Sequence, residues 1–389
     1  MSAPLKGVRV LELARILAGP WIGQTLADLG AEVIKVESPA GDDTRRWGPP
    51  FIENADGSKD AAYFHACNRG KRSVIADFSK QEDLEHVRRL AASADVVLEN
   101  FKVGGLVKFG LDYANLKALN PSLIYCSVTG FGQDGPYAHR AGYDFIIQAM
   151  SGAMDLTGEP EGTPQKAGVA YADIFTGLYG VIAVQAALLR KAQTGQGEWI
   201  DMALMDAQVG VLANQAMNYL ATGNSPQRMG NAHPNIVPYQ VFQLADGHMV
   251  IAVGNDSQFT KLCDILGEGQ WAQDERFASN AARVANRAAL IPMLEDKLRQ
   301  WRRGDLFAQL ERAGVPAGPI NSVAEALEDP QIIHRTMRLK NDPAEKDGAP
   351  EYLRTPITYR EHPLDYMRTA PILGGGGDTL LSGVSWQDS

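Results

Sequence analysis

Asp173 is the residue whose type and placement most invite chemistry. Within residues 168–189, GVAYADIFTGLYGVIAVQAALL, it is the only ionisable side chain apart from two tyrosines. The apolar spacing of Ile174, Leu178, Val181, Ile182, Leu188 and Leu189 fits a helix, closed by Arg190 and Lys191 where cations suit the helix dipole. Asp173 falls in or just before its first turn. A carboxylate there can cap the helix by accepting a backbone N–H two or three residues on. Alternatively, because Phe175, Gly177 and Gly180 keep one side of the turn small or greasy, a ligand or a second backbone could come close to it. A membrane span is disfavoured, since residues 174–189 fall short of the roughly 20 a bilayer needs and include Gln185.

The remaining chemistry-bearing side chains are cations on loops. Residues 38–50, SPAGDDTRRWGPP, are too rich in Gly, Pro and Asp for a regular element. Arg45 and Arg46 could hold a carboxylate or phosphate there through their forked donors, or lie as a solvated surface pair. Lys102 and Lys108 offer charge in the same way, with solvated lysines the ordinary alternative. The helix opened by Gly19 and Pro20 either presents free N–H groups to an anion or is a plain βα turn with Pro at its first position. Its ARILAGP is not a GxGxxG, so it carries no dinucleotide signature.

Strands and helices alternate around these residues. Residues 8–13 and 32–37 read as strands joined by a helix through Leu29, a βαβ unit. Short strands follow at 73–78, 95–98 and 123–128, with helices at 81–93 and 111–119 between them. This alternation predicts an α/β fold with a doubly wound, mostly parallel, Rossmann-like sheet. The loops after its strands, at 100–108 and 130–143, should line one crevice. After the central helix come a strand and a helix through Leu220. Residues 222–238, TGNSPQRMGNAHPNIVP, then break the pattern. Residues 239–245 and 248–253, around Asp246 and Gly247, read as a β-hairpin with a type I′ turn. Helices are expected at 258–266, 287–302 and 306–313. We therefore expect a large domain over 1–224, a smaller α+β domain over 225–325, and a segment 326–389 returning to the large domain. Gly374 to Gly377 could approach a phosphate or form a flexible turn.

At 389 residues, 45% hydrophobic and 21% charged, the composition is that of a globular protein. The net charge of -9 argues against nucleic acid as a partner, though local basic pockets for an anionic ligand remain open. Cys67, Cys126 and Cys263 are odd in number and far apart, and the histidines never fall in ligand spacing, so neither a disulfide framework nor a metal is expected. The start, MSAPLKGVRVLEL, enters a strand pattern within a few residues, leaving no room for a targeting peptide; the expected location is cytoplasmic, with no membrane partner.

Ordered blocks take the reading further. LKGVRVLELARILAGPWIGQTLADLGAEVIKVESPAGDDTRRWGPPF, VVLENF, SLIYCSVTGFGQDGP, RAGYD, GVAYADIFTGLYG, KAQTGQGEWIDMALMDAQ and GNAHPNIVPYQVF closely resemble the family III CoA-transferases, the CaiB/BaiF group, from about residue 5 to 375. The resemblance implies that Asp173 is a nucleophile. Its carboxylate would attack an acyl-CoA thioester, and the freed thiolate would return to give an aspartyl-CoA thioester. It also implies an interlocked homodimer, coenzyme A as part of the substrate, and acyl-CoA and carboxylate partners.

The family's CoA contacts fall on Leu17, Ala18, Ser38, Ala76, Asp77, Phe78, Ser79, Asn100, Phe101, Lys102, Lys108, Ala141, Gly142, Tyr143 and Asp144. Leu17 stands where formyl-CoA transferases carry a glutamine, which disfavours formate and oxalate chemistry. Ser38 stands where those enzymes place an arginine on the nucleotide. Tyr143 occupies the position of a histidine in the related α-methylacyl-CoA racemases; tyrosine, with its high ordinary pKa, is poorly suited to abstracting an α-proton, so transfer is favoured over racemisation. LARILAGP, DDTRRWGPPF and RMGNAHPNIVPYQVF look most like the succinate–hydroxymethylglutarate (glutarate) branch. A dicarboxylate user needs a cation for the distal carboxylate, and Arg15, Arg45 and Arg46 are the candidates. A racemase-type epimerase and a non-catalytic CoA-binding protein are the competing readings.

Overall fold

The computed structural model describes residues 3–339, 350–366, 369–375 and 384–386. Two compact units divide the chain: one gathers Met1–Ala153, Lys166–Gly223 and Pro330–Ser389, the other Met154–Gln165 and Asn224–Asp329. The excursion Met154–Gln165 thus groups with the second unit, although the sequence reading placed it in the first.

In the first unit, six strands form one sheet: β1 (Arg9–Glu12), β2 (Glu32–Glu37), β3 (Arg72–Ile75), β4 (Val96–Glu99), β5 (Ile124–Thr129) and β6 (Glu198–Ala203). Their spatial order is β3-β2-β1-β4-β5-β6, and every pairing is parallel. Apolar, largely β-branched runs suit strands covered on both faces. Val10, Val33, Val96 and Ile124 enter one core, whereas their neighbours Leu11, Ile34, Val97 and Tyr125 enter the other. Helices α1 (Ala18–Asp28), α2 (Gln81–Ala92), α3 (Tyr113–Leu119), α4 (Asp144–Met150), α5 (Tyr171–Thr194), α6 (Leu204–Gly210) and α7 (Ala213–Thr222) complete the elements that matter below. The sheet is doubly wound, as the alternation predicts.

Helix α5 spans 24 residues, longer than its apolar core suggests. By length and composition it would pass for a membrane span. Here Ala172, Val181, Val184 and Ala187 are buried in one of the cores flanking the sheet. Its glycines answer a second backbone, that of α1: a Cβ on Gly177 would lie 3.0 Å from Trp21 and 3.2 Å from the Ala18 carbonyl, and one on Gly180 2.4 Å from Ile22. A single helix through Leu220 does not form. The chain breaks between α6 and α7, where Ala213 takes a φ of +47°.

The second unit holds β7 (Tyr239–Leu244), β8 (Gly247–Ala252) and β9 (Ala317–Pro319) as an antiparallel sheet in the order β9-β8-β7. Around it lie α8 (Asp256–Ile265), α9 (Arg287–Leu298) and α10 (Arg303–Ala313), closing an apolar core of Phe242, Phe259, Leu262, Leu294 and Leu306. The hairpin differs from the expected type I′ turn. Gly247 already pairs with Leu244, so the loop is Ala245 and Asp246. Gly247 alone of these takes a positive φ, 139°. The Asp246 carboxylate accepts the Arg303 N–H at 2.8 Å, which ties the loop down.

Of the glycine run, Gly376 and Gly377 lie outside the described residues. Gly374 has a φ of +66° and donates its N–H to Ser73 Oγ on β3 at 3.0 Å, so it anchors chain to chain.

Candidate active site

Three loops leave the carboxyl ends of β1, β4 and β5, on both sides of the point where strand order reverses. Open α/β sheets bind ligands at such a point. Between these loops lies a cavity of about 580 Å³. The first loop gives Arg15, Ile16 and Leu17, with Ala18 opening α1; the second gives Asn100, Phe101, Lys102, Val103, Gly105, Lys108 and Phe109. The third gives Val128, Thr129, Gly130 and then Ala138, His139, Arg140, Ala141, Gly142 and Tyr143. Asp173 and Leu204, at the heads of α5 and α6, complete the wall. Gly130 and Gly142 touch there, since a Cβ on either would fall 2.5 Å from the other's Cα. No larger residue fits at either place without moving backbone.

The first loop is clamped from beneath, group by group. Lys35 Nζ donates to the Ala14 carbonyl at 2.7 Å. The Asn100 amide both accepts the Arg15 N–H (2.9 Å) and donates to the Arg15 carbonyl (2.6 Å). Asp42 accepts the Ile16 N–H, each oxygen at 3.3 Å. These bonds hold Ile16 at a φ of +74°, a left-handed conformation that costs a β-branched residue about 1–3 kcal/mol. Lys35 is wholly buried and lies 3.1 Å from Glu12 and 2.9 Å from Asp42. Burial opposes its charge, but Glu12, Asp42 and Glu37 more than offset that and hold it above the ordinary lysine value. Lys71, also buried, donates to Glu12 Oε1 at 2.9 Å and to the Pro20 carbonyl at 2.8 Å. A buried ion network therefore fixes the loop that opens α1.

Asp173 is not a helix cap. The cap position of α5 is Ala170, which has no capping side chain, and Asp173 is the third helical residue. Among the described residues its carboxylate has no hydrogen bond or ion pair. The orphan N–H of Ala172 goes instead to Asp144 Oδ1, at 2.9 Å. Burial first, and the negative charge of Asp144 second, push the Asp173 carboxyl up to about 7. The Tyr63 hydroxyl feels the same carboxylate: burial first and Asp173 second push it up to about 12.

With this geometry in hand, comparison with known proteins decides the family. A model of CoA-transferase family III matches residues 5–377. The chain belongs to that family. It is 57% identical over 373 residues to a succinate–glutarate CoA-transferase of Agrobacterium fabrum, covering 95% of this chain and 93% of the relative. It is 39% identical to a human succinyl-CoA:glutarate CoA-transferase, covering 98% of this chain and 86% of that one. A crystal structure of a CAIB/BAIF family protein from Brucella suis superposes with a TM-score of 0.86 at 62% identity, covering 97% of this chain and 98% of that chain. As a family III CoA-transferase, the chain takes an acyl-CoA thioester and a carboxylate as substrates.

For a family III CoA-transferase, the distribution of charge on the cavity wall is apt. Arg15, Lys102, Lys108 and Arg140 share the wall with one carboxylate among the described residues, Asp173. Leu17, Ala18, Asn100, Phe101, Lys102, Lys108, Ala141, Gly142 and Tyr143 all line the cavity. Ser38, Ala76, Asp77, Phe78, Ser79 and Asp144 do not. Ser38 is exposed and donates to the Gly41 carbonyl at 3.4 Å. Asp77 closes a local turn on the Ser79 hydroxyl (2.7 Å). Phe78 reaches the wall only through Phe101 and Phe109, against which its ring packs.

The three arginines separate sharply. Arg45 is buried, paired with Glu37 and Asp60 (both 2.7 Å), and its guanidinium lies 3.6 Å from the Phe64 ring centre. It is a structural cation and is not available to a substrate carboxylate. Arg46 is tied to the Ala40 carbonyl and Asp43, off the wall. Arg15 alone of the three lines the cavity, paired with Asp43 at 2.9 Å where both are partly exposed. Arg140, stacked 3.9 Å from the Tyr137 ring centre, and His139 were not singled out from the sequence. The signal was their place in the loop 130–143 expected to line the crevice.

Proposed function

We propose that this family III CoA-transferase moves CoA from an acyl-CoA to a dicarboxylic acid such as succinate, glutarate or hydroxymethylglutarate, through an aspartyl-CoA thioester on Asp173. The observation that carries this reading is a cation-lined cavity whose one carboxylate among the described residues is half-buried and has no hydrogen-bonding partner among them. A poorly solvated carboxylate is a stronger nucleophile once ionised, and near neutral pH a useful fraction is ionised. An Asp173 oxygen attacks the thioester carbonyl; the C–S bond breaks, leaving a mixed anhydride and CoA thiolate. The thiolate attacks the aspartyl carbonyl and expels the donor carboxylate. The acceptor carboxylate then attacks the aspartyl thioester, and the released thiolate takes the acceptor's acyl group, restoring the Asp173 carboxylate. Every atom of CoA leaves as it came.

The cationic wall suits the phosphates of CoA, and Arg15 is the candidate for the acceptor's distal carboxylate. The names of the Agrobacterium and human relatives support a dicarboxylate of four or five carbons. We further infer a homodimer. Leu178, Tyr179, Ile182 and Leu189 on α5, and Met217, Tyr219 and Leu220 on α7, stand exposed, an apolar expanse that a second copy would cover.

The test is exchange from succinyl-CoA against a panel of mono- and dicarboxylates. Glutarate or hydroxymethylglutarate is expected to outpace monocarboxylates of equal length. Equal rates would overturn the dicarboxylate assignment. Solvent deuterium entering the α-carbon of a branched acyl-CoA without acceptor acid would point to racemisation.

A further inference from the structure

The resemblance places Asp144 among the coenzyme contacts, but its surroundings point elsewhere. Both carboxylate oxygens are engaged inside the protein. Oδ1 accepts the Ala172 N–H, one residue before Asp173, and Oδ2 accepts Gln148 Nε2 at 2.8 Å. Gln148 is 2% exposed. Its Oε1 accepts the Ala167 N–H at 3.0 Å, and its Nε2 also reaches the Val169 carbonyl at 3.4 Å. Two residues one turn apart on α4 thus grip Ala167, Val169 and Ala172, the stretch leading into the Asp173 turn. That stretch has no side-chain cap of its own. Asp144 satisfies the helix donor from another helix.

We propose that Asp144 and Gln148 form a latch that positions Asp173 for attack on the thioester, and that the fixed negative charge of Asp144 sets the pH at which Asp173 becomes a nucleophile. The latch rests on the reading of Asp173 as the nucleophile. Charge and position are separable because the two residues share the work unequally. Gln148 brings hydrogen bonds without charge; Asp144 brings both. The charged or titratable groups that interact with Asp173 are Asp144 from α4 and the Tyr63 hydroxyl from outside the cavity lining, and Arg15, Lys102, Lys108, His139, Arg140 and Tyr143 share its cavity wall. Among them Asp144 is the negative charge that raises the proton affinity of Asp173. Removing it must make Asp173 ionise at lower pH.

The experiment is the pH profile of CoA exchange by the full-length enzyme with succinyl-CoA as donor, together with hydroxylamine trapping on Asp173. Asp144→Asn keeps an acceptor for the Ala172 N–H and removes the charge. Its acid limb should move down by about one pH unit, with the Asp173 adduct still formed. Gln148→Leu keeps the charge and loosens the turn. Its kcat should fall on the order of tenfold with the acid limb unmoved and KM for succinyl-CoA little changed. An unmoved limb in Asp144→Asn with the adduct intact overturns the latch and leaves the nucleophile reading standing. A limb shifted equally by Gln148→Leu also overturns it. Should Asp144→Asn fail to fold, carboxyl-carbon NMR titration of Asp173 in wild type and Gln148→Leu decides instead: a raised midpoint common to both supports the latch, and a wild-type midpoint at the ordinary carboxyl value, or one moved by Gln148→Leu, overturns it. An absent adduct in the wild-type enzyme would instead overturn the nucleophile reading itself.

Discussion

The two units solve the burial of charge in opposite ways. In the second unit, Arg283 is the one buried charged or polar side chain among the described residues, and it is a cross-link. It donates to the Val237 and Phe277 carbonyls and pairs with Asp256, with its guanidinium over the Phe259 ring. The rest of that core is apolar packing, with Met249, Cys263 and Trp271 among the aliphatic and phenyl side chains. The first unit buries Glu12, Lys35, Glu37, Asp42, Arg45, Asp60, Arg69 and Lys71. Several of these lie directly under the loop that holds Ile16 in its left-handed turn. Replacing a buried ion pair by apolar residues is often neutral or stabilising, so such a network is weak evidence for stability. Its use here is placement. The ions hold backbone groups of Ala14 and Ile16 where the cavity needs them, and the second unit has no such network.

The comparison can be broken at several points. Glu12→Ala leaves Lys35 and Lys71 buried without their shared partner. It should cost about 3–5 kcal/mol in chemical denaturation and lower transfer activity in the fraction that stays folded. Leu294→Ala in the second unit opens a cavity worth about 2–5 kcal/mol. In the folded fraction it should leave KM for acyl-CoA unchanged. If both variants alter KM alike, the division of labour between the units is wrong.

A smaller effect is expected at the rim. Asn100→Ala frees the Arg15 N–H and carbonyl, for a loss of about 1–3 kcal/mol and a rise in the KM for acyl-CoA, read by steady-state kinetics. Were Asn100 a contact to the coenzyme only, KM would rise with no loss of stability.

The smallest effect runs the other way. Folded Asp173 keeps its proton up to about pH 7, whereas the ordinary carboxyl releases it near 3.8. Between those values the folded state binds more protons, so this residue lowers stability as pH rises. Asp173→Asn removes the penalty. The variant should be more stable than wild type by about 1–2 kcal/mol at pH 8, after discounting for partial exposure, with the difference vanishing toward pH 4. Thermal melts across that range read it directly.

How much of this was legible in the sequence depends on the range of the interaction. EVIKVE gave β2 to the residue, because the β-branched Val33, Ile34 and Val36 between two glutamates mark a strand without a partner, even with Lys35 among them. Gly177 and Gly180 announced a close approach, which α1 makes through the Ala18 carbonyl and the side chains of Trp21 and Ile22. Arg45 was misread as a substrate cation because its pairing with Asp60 joins segments fifteen residues apart and needs the Gly41–Trp47 turn to form. The hold of Asp144 on the Asp173 turn was invisible for the same reason: its bond to Ala172 spans 28 residues and links two helices. Nothing local predicts a left-handed isoleucine at position 16. Only the side chains beneath it, from β2, the following turn and the β4 loop, explain why it stays there.

The central claim is that Asp173 carries the coenzyme through the exchange. Incubation with succinyl-CoA, quenching with hydroxylamine and mass spectrometry of the peptide holding residues 168–189 test it most directly. The account predicts a hydroxamate on Asp173 that appears only when succinyl-CoA is present and disappears when an acceptor acid is added before the quench. An unmodified peptide in a preparation that turns over, or the hydroxamate on another carboxylate, would contradict it.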